Sequence, residues 1–136
     1  MKSVSILFFS LLIFCSCRKA VENALENAVL NSMTDGQWTI TSFVEDGTDI
    51  TADFSTYKFQ YHSNKTVDAI KNGIIEYTGK WDGSTADKTT WADFPGAMEP
   101  LTLLNGTWHI TNNTLTYVKA YQIAGTVTKT FRLDKQ

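Results

Sequence analysis

The stretch GQWTITSF, Gly36 to Phe43, sets the pattern for most of this chain. Trp38, Ile40, Ser42 and Val44 fall at every second position, so on a strand they share one face. Its opening, a glycine two residues before a tryptophan, returns as GKW at Gly79–Trp81 and as GTW at Gly106–Trp108. Each glycine leaves an empty patch on the face that carries the indole. Either the ring lies along the sheet there, or the strand bends, as a closing sheet needs at its corners. Three such steps on three strands predict three indoles converging on one interior.

The period of two continues downstream. Asp46-Gly47 is a turn signal, and 49–54 reads as a short irregular or helical link. Tyr57, Phe59 and Tyr61 alternate with Lys58, Gln60 and His62. Ser63-Asn64-Lys65 turns into Val67–Ile70, and Asn72-Gly73 is the strongest hairpin signal. Ile75, Tyr77, Gly79 and Trp81 then share a face, and Asp82-Gly83 is expected to turn again. Residues 84–105 are the least regular: Thr89 to Phe94 reads as a strand that Pro95-Gly96 ends, and Leu101–Leu104 is a short apolar run. Trp108–Thr111, Leu115–Val118 and Thr126–Leu133 read as three strands joined by turns at Asn112-Asn113 and Ala124-Gly125. Seven or eight short strands, spaced by roughly 8–12 residues, predict an all-β fold, a small antiparallel up-and-down barrel of about eight strands. Strands never alternate with helices, which argues against a parallel sheet.

The N-terminus reads differently. MKSVSILFFSLLIFCSC has a lysine, then an apolar run from Val4 to Phe14 that is shorter than the roughly 20 residues a membrane span needs. This is the form of a secretory signal peptide. It ends Ser16-Cys17, and a small residue directly before a cysteine resembles the lipobox of bacterial lipoproteins. That resemblance implies a signal peptide over 1–16, cleavage before Cys17, and acylation of Cys17 by palmitate-type chains. Periodicity divides the remainder into a helical tether over 17–34 and a barrel domain over 35–136. Cys17 is followed by Arg18 rather than aspartate, which by the same resemblance places the protein at the outer membrane facing the periplasm. In the tether, Val21, Leu25 and Val29 form a thin apolar stripe over Lys19–Met33, suited to a spacer or a lid on the domain.

The ordered set GQW, EDG, DIT, YKFQY, GKW and LNGTW, running from about Asp35 to Leu133, resembles the lipocalin-like domains of bacterial lipoproteins, a calycin-type barrel. That resemblance implies that Trp38 packs across the barrel floor. It also implies a small hydrophobic or amphipathic ligand held at an open end. The aromatic faces expected to converge on it are Trp38, Tyr57, Phe59, Tyr61, Tyr77, Trp81, Trp108 and Tyr117. An eight-strand barrel has an interior just large enough for side chains or for one small ligand, so a filled core stands as the alternative reading. A solid barrel would act through its surface, with the loop from Trp91 to Pro100 as the contact for an envelope protein.

Composition excludes several classes. Lys plus Arg is 12 and Asp plus Glu is 14, for a net charge of −2, so nothing draws the chain to nucleic acid. Contact with a membrane is expected through the acyl chains of Cys17 alone. Both cysteines lie in the targeting region, leaving none for a disulfide or thiolate ligand in the domain. His62 and His109 stand alone on strand faces opposite the expected core. Asp46, Asp49 and Asp53 gather at a turn, where capping explains them. No nucleophile elbow or phosphate loop occurs. The chain therefore reads as neither an enzyme nor a metal or cofactor protein.

Overall fold

The protein is described here by a computed structural model, which covers residues 14–136. Residues 1–13, most of the expected signal peptide, lie outside the described residues. The chain enters through a helix, α1 (Phe14–Thr34), longer than the periodicity over Lys19–Met33 predicts. Residues 17–28 are exposed, Cys17 among them, and only the last turns are half-buried. Among the described residues, no helix is long and apolar enough to cross a membrane.

Nine strands follow: β1 (Trp38–Glu45), β2 (Thr48–Asp49), β3 (Tyr57–Tyr61), β4 (Thr66–Lys71), β5 (Ile74–Ser84), β6 (Thr89–Asp93), β7 (Gly106–Asn113), β8 (Tyr117–Ala124) and β9 (Val127–Lys135). All but the two-residue β2 form a closed antiparallel barrel in chain order. The ring closes where β1 pairs with β9, from Trp38↔Lys135 to Glu45↔Lys129. The weak seam lies between β1 and β3, which share one pair, Trp38↔Phe59. There the link between them fills in. Thr51 Oγ1 accepts the Phe43 N–H at 2.8 Å, and the Ile50 N–H donates to the Phe43 carbonyl at 2.9 Å. A 3₁₀ turn, Thr51–Phe54, then drives Phe54 into the barrel.

β1 departs from its simple alternation. Its register with β9 shifts between Ile40 and Ser42, and the bulge turns Phe43 inward while Ser42 and Val44 stay partly exposed. A bulge adds one residue to one strand, so parity reverses beyond it. Phe43 thereby joins a run of rings with Phe54 (centroids 4.8 Å apart), Trp108 (5.9 Å) and, through Trp108, Phe131 (4.6 Å).

Other boundaries move as well. β5 runs through Asp82-Gly83 to Ser84, because Asp82 and Gly83 pair with Trp91 and Thr90. β7 keeps Asn112 and Asn113 in the sheet, with the turn displaced to 114–116. β8 begins at Tyr117, and its buried positions are Ala120 and Gln122. Trp91 sits in the middle of β6 rather than in a loop, and Phe94, expected near the outer surface, is 2% exposed.

The two ends of the barrel differ. At the far end, Leu101 and Leu104 on a second 3₁₀ turn (Leu101–Leu104), together with Phe54 and Phe94, plug the interior. At the helix end lie α1, the turns 62–65, 85–88 and 114–116, and the C-terminus.

Candidate functional site

The interior is filled over one half and open over the other. A cavity of about 730 Å³ lies at the helix end, between the barrel walls and one side of α1. Its floor is Tyr61, Thr90, Phe131 and Leu133, which also bound a deeper void of about 40 Å³. Trp81, Ile110 and Val118 form the wall, and Leu25, Val29, Leu30 and Met33 of α1 face them. The mouth brings neutral polar groups, among them Thr85 from a turn and Asn112 and Asn113 from the end of β7, with the charged Glu26, Lys65, Asp82 and Lys88.

Short local features hold this wall. Tyr61 ends β3, and its ring meets the edge of Trp81 at 5.0 Å. The Trp81 indole N–H donates to the His62 carbonyl at 3.1 Å, tying the turn after β3 to β5. Lys65 from that turn reaches over the Trp81 ring and donates to Asp82 Oδ1 at 2.7 Å. Lys65 beside Asp82 therefore holds that carboxyl below the usual carboxylate range. Helix α1 is attached by its last turn: Trp38 Nε1 donates to the Met33 carbonyl at 2.9 Å, and Ser32 Oγ donates to the Leu115 carbonyl at 2.5 Å.

Two of the expected ligand-facing residues, Tyr61 and Trp81, line the cavity. Trp38 is sealed, 0% exposed, and Trp108 and Phe59 are core that touches only the smaller void. Tyr57 is buried too, and its hydroxyl bonds the Glu76 carboxylate. Tyr77 is half-buried and packs against the core. Tyr117 lies on the outer face, under the Arg132 guanidinium at 4.5 Å, because the inner positions of β8 are Val118, Ala120 and Gln122.

The three indoles therefore do not meet in one ligand site. Each instead pins a connecting segment: Trp38 holds the end of α1, Trp81 the turn after β3, and Trp108, through Leu104 O at 2.8 Å, the 3₁₀ turn before β7. The open end is also the one at which Trp38 begins β1, where a floor was expected. The opposite end is closed because the two 3₁₀ turns carry Phe54, Leu101 and Leu104 into it. Periodicity gave no sign of Ile110, Val118, Phe131 or Leu133 as cavity residues. The helix wall had one signal, the thin stripe of Leu25 and Val29.

Other polar groups are committed to local structure. Asp49 accepts from Thr51 N–H and Oγ1, and Asp46 Oδ1 accepts from the Thr128 N–H at 2.8 Å, so both serve their turns. Asp68 lies between His62 Nε2 at 2.8 Å and Thr78 Oγ1 at 2.6 Å. The histidine and the hydroxyl thus contact the carboxylate separately, and the histidine is not placed to activate Thr78.

No family model matches the chain, and no curated protein matches it. Among solved structures, the barrel is similar to the crystal structure of a DUF4847 family protein from Bacteroides vulgatus ATCC 8482, with a TM-score of 0.53 and 12% identity. The match covers 79% of this chain and 99% of that one. At this identity the likeness is one of fold.

Proposed function

We propose that this chain is a lipid-anchored, lipocalin-like binding module that holds one small hydrophobic or amphipathic molecule between the barrel mouth and helix α1. The cavity of about 730 Å³ carries this reading, since ligand sites usually occupy about 300–1,000 Å³ and are lined mainly by apolar side chains around a few polar groups. In this reading acyl chains on Cys17 hold the protein at the outer membrane, on the periplasmic side. Cys17 is exposed on α1, some 16 residues before Met33, which places the mouth within about 24 Å of the anchor at 1.5 Å per helical residue. The chain carries no catalytic role.

Titration with the neutral dye N-phenylnaphthylamine tests the site. Saturable binding of one dye per chain, weakened in Val118→Trp where the added ring narrows the cavity, is the expected result. Dye binding that does not saturate, or that is unchanged in Val118→Trp, refutes it.

A second reading keeps one specific observation. Trp91 projects from the outer face of β6 and is 38% exposed, the kind of ring that anchors protein interfaces. An envelope protein that co-purifies with the chain and is lost on Trp91→Ala would support it. Unchanged partners would count against it.

A further inference from the structure

The floor of the cavity specifies one end of its ligand. Among the described residues, the Tyr61 hydroxyl forms no hydrogen bond. No fully buried side-chain oxygen or nitrogen is left unpaired in the described residues, so this oxygen reaches free space. Tyr61 borders both the mouth cavity and the deeper void, so that space is the cavity itself. The second hydroxyl at the floor is already used, since Thr90 Oγ1 donates to the Asp82 carbonyl at 2.9 Å.

No charged side chain lines the deeper void. The lysines of the cavity, Lys65 and Lys88, belong to the turns at the mouth, and Lys65 is paired with Asp82. A carboxylate or phosphate pushed to the floor would thus lose its hydration with no cation beside it, at high cost. A purely hydrocarbon ligand would leave the phenol unpaired, which also costs. A neutral oxygen satisfies both demands.

We propose, resting on the site described above, that the ligand enters with an uncharged oxygen-bearing end first, a hydroxyl, ketone or ester carbonyl, which hydrogen-bonds Tyr61 Oη at the floor. Its hydrocarbon body lies against Trp81, Phe131, Leu133 and the apolar side of α1. Burial raises the ionisation of the Tyr61 phenol above its ordinary range, so it stays protonated and able to donate. The chemical class is a neutral amphiphile, not a fatty acid carrying its carboxylate inward.

The test uses the full chain with Cys17→Ser, so that no acyl group of its own competes. N-phenylnaphthylamine is bound and displaced by dodecanol or by dodecanoate at pH 8. Dodecanol is expected to displace the dye at about tenfold lower concentration than dodecanoate, because a carboxylate at the floor loses its hydration with no cation beside it. Tyr61→Phe is expected to raise the dodecanol concentration needed for displacement, corrected for the variant's own dye affinity, about three- to tenfold, and a cooperative thermal transition certifies that the variant folds. Equal or tighter binding of dodecanoate, or displacement by dodecanol that is unchanged in Tyr61→Phe, overturns the proposal while the site itself stands. Failure of the dye to bind the parent chain, or its unchanged binding to Val118→Trp, overturns the site and this inference with it.

Discussion

Phe94 occupies the surface that Gly79 leaves bare. A Cβ built on Gly79 would lie 2.8 Å from Phe94 Cδ1 and 2.5 Å from the Asp93 carbonyl oxygen. The glycine of GKW therefore makes room for a ring just beyond the end of the next strand, not for its own Trp81. Gly79→Ala must push the β6 backbone or expel Phe94, and overpacking of this kind costs about 1–3 kcal/mol. Urea unfolding should show a lower midpoint with an unchanged slope. A midpoint equal to the parent's would mean that β6 does not press on Gly79.

The glycine of GTW answers to a different constraint. Gly106 has φ +100°, and a Cβ there would lie 2.6 Å from Gln122 Nε2. That amide already donates to Asn105 O at 3.1 Å and Thr107 O at 3.2 Å. Gly106→Ala combines a disfavoured backbone with a displaced, buried amide. It should destabilise the barrel by about 2 kcal/mol or more, read as a lower melting temperature. Gln122→Ala should relieve part of that loss when added to it, and strict additivity would rule out the coupling.

Loss of the indole N–H should cost more at Trp108 than at Trp38. Trp108→Phe leaves the buried Leu104 carbonyl unpaired beneath the far-end plug, for about 1–3 kcal/mol. Trp38→Phe frees the Met33 carbonyl at the last turn of α1, a part-buried site that water can reach. Chemical denaturation of both variants should rank them in that order, and the reverse order would contradict the burial described here.

The outer face of β9 should make stability fall in acid. Arg132 donates to Asp134 at 2.7 and 2.8 Å, and Thr41 adds a further bond, which together hold that carboxyl below the usual carboxylate range despite partial burial. A depressed carboxylate stabilises the fold above its unfolded value, near 3.9, and that contribution is lost as pH falls through the folded value. Between neutral pH and pH 3, Asp134→Asn should therefore lose less stability than the parent does. Parallel pH profiles would exclude a role for this carboxylate.

The alkaline side is set by tyrosine. Burial and the bond to Glu76 push the Tyr57 phenol up to about 12. A phenol that ionises later in the folded state stabilises it below pH 10, and that contribution is lost as pH rises from the unfolded value, about 10, toward the folded one. In a titration followed by tyrosinate absorbance, Tyr57→Phe and Tyr61→Phe should each remove one equivalent from the late phase. Removal from the early phase instead would place those hydroxyls in water.

How far the sequence could be read follows from these residues. The closed barrel was legible because Tyr57–Phe59–Tyr61 and Tyr77–Gly79–Trp81 each alternate without a bulge inside the run, and Asn72-Gly73 joins β4 to β5. What escaped was parity after an irregularity. The bulge near Thr41 turned Phe43 inward, and no periodic count registers such a one-residue shift. The plug escaped for another reason. Phe54, Phe94, Leu101 and Leu104 come from connections without a period, so their burial depends on contacts distant in sequence. The open half of the barrel was illegible because a cavity is made by what neighbouring residues do not fill.

Helix α1 offers the sharpest separation of stability from binding. Leu25 faces the cavity yet is 57% exposed, whereas Met33 is packed against the core and its carbonyl is held by Trp38. Leu25→Ser removes little area buried in the fold, so its melting temperature should match the parent's, with a free-energy change within about 0.5 kcal/mol. It does remove apolar wall from the bound state, so dye should dissociate roughly two- to fivefold faster. Met33→Ser should instead lower stability first. If Leu25→Ser leaves the dissociation rate unchanged, α1 is not a wall of the occupied site, and the ligand is held by the barrel mouth alone. If it lowers stability as Met33→Ser does, the upper turns of the helix pack on the barrel more closely than their exposure indicates.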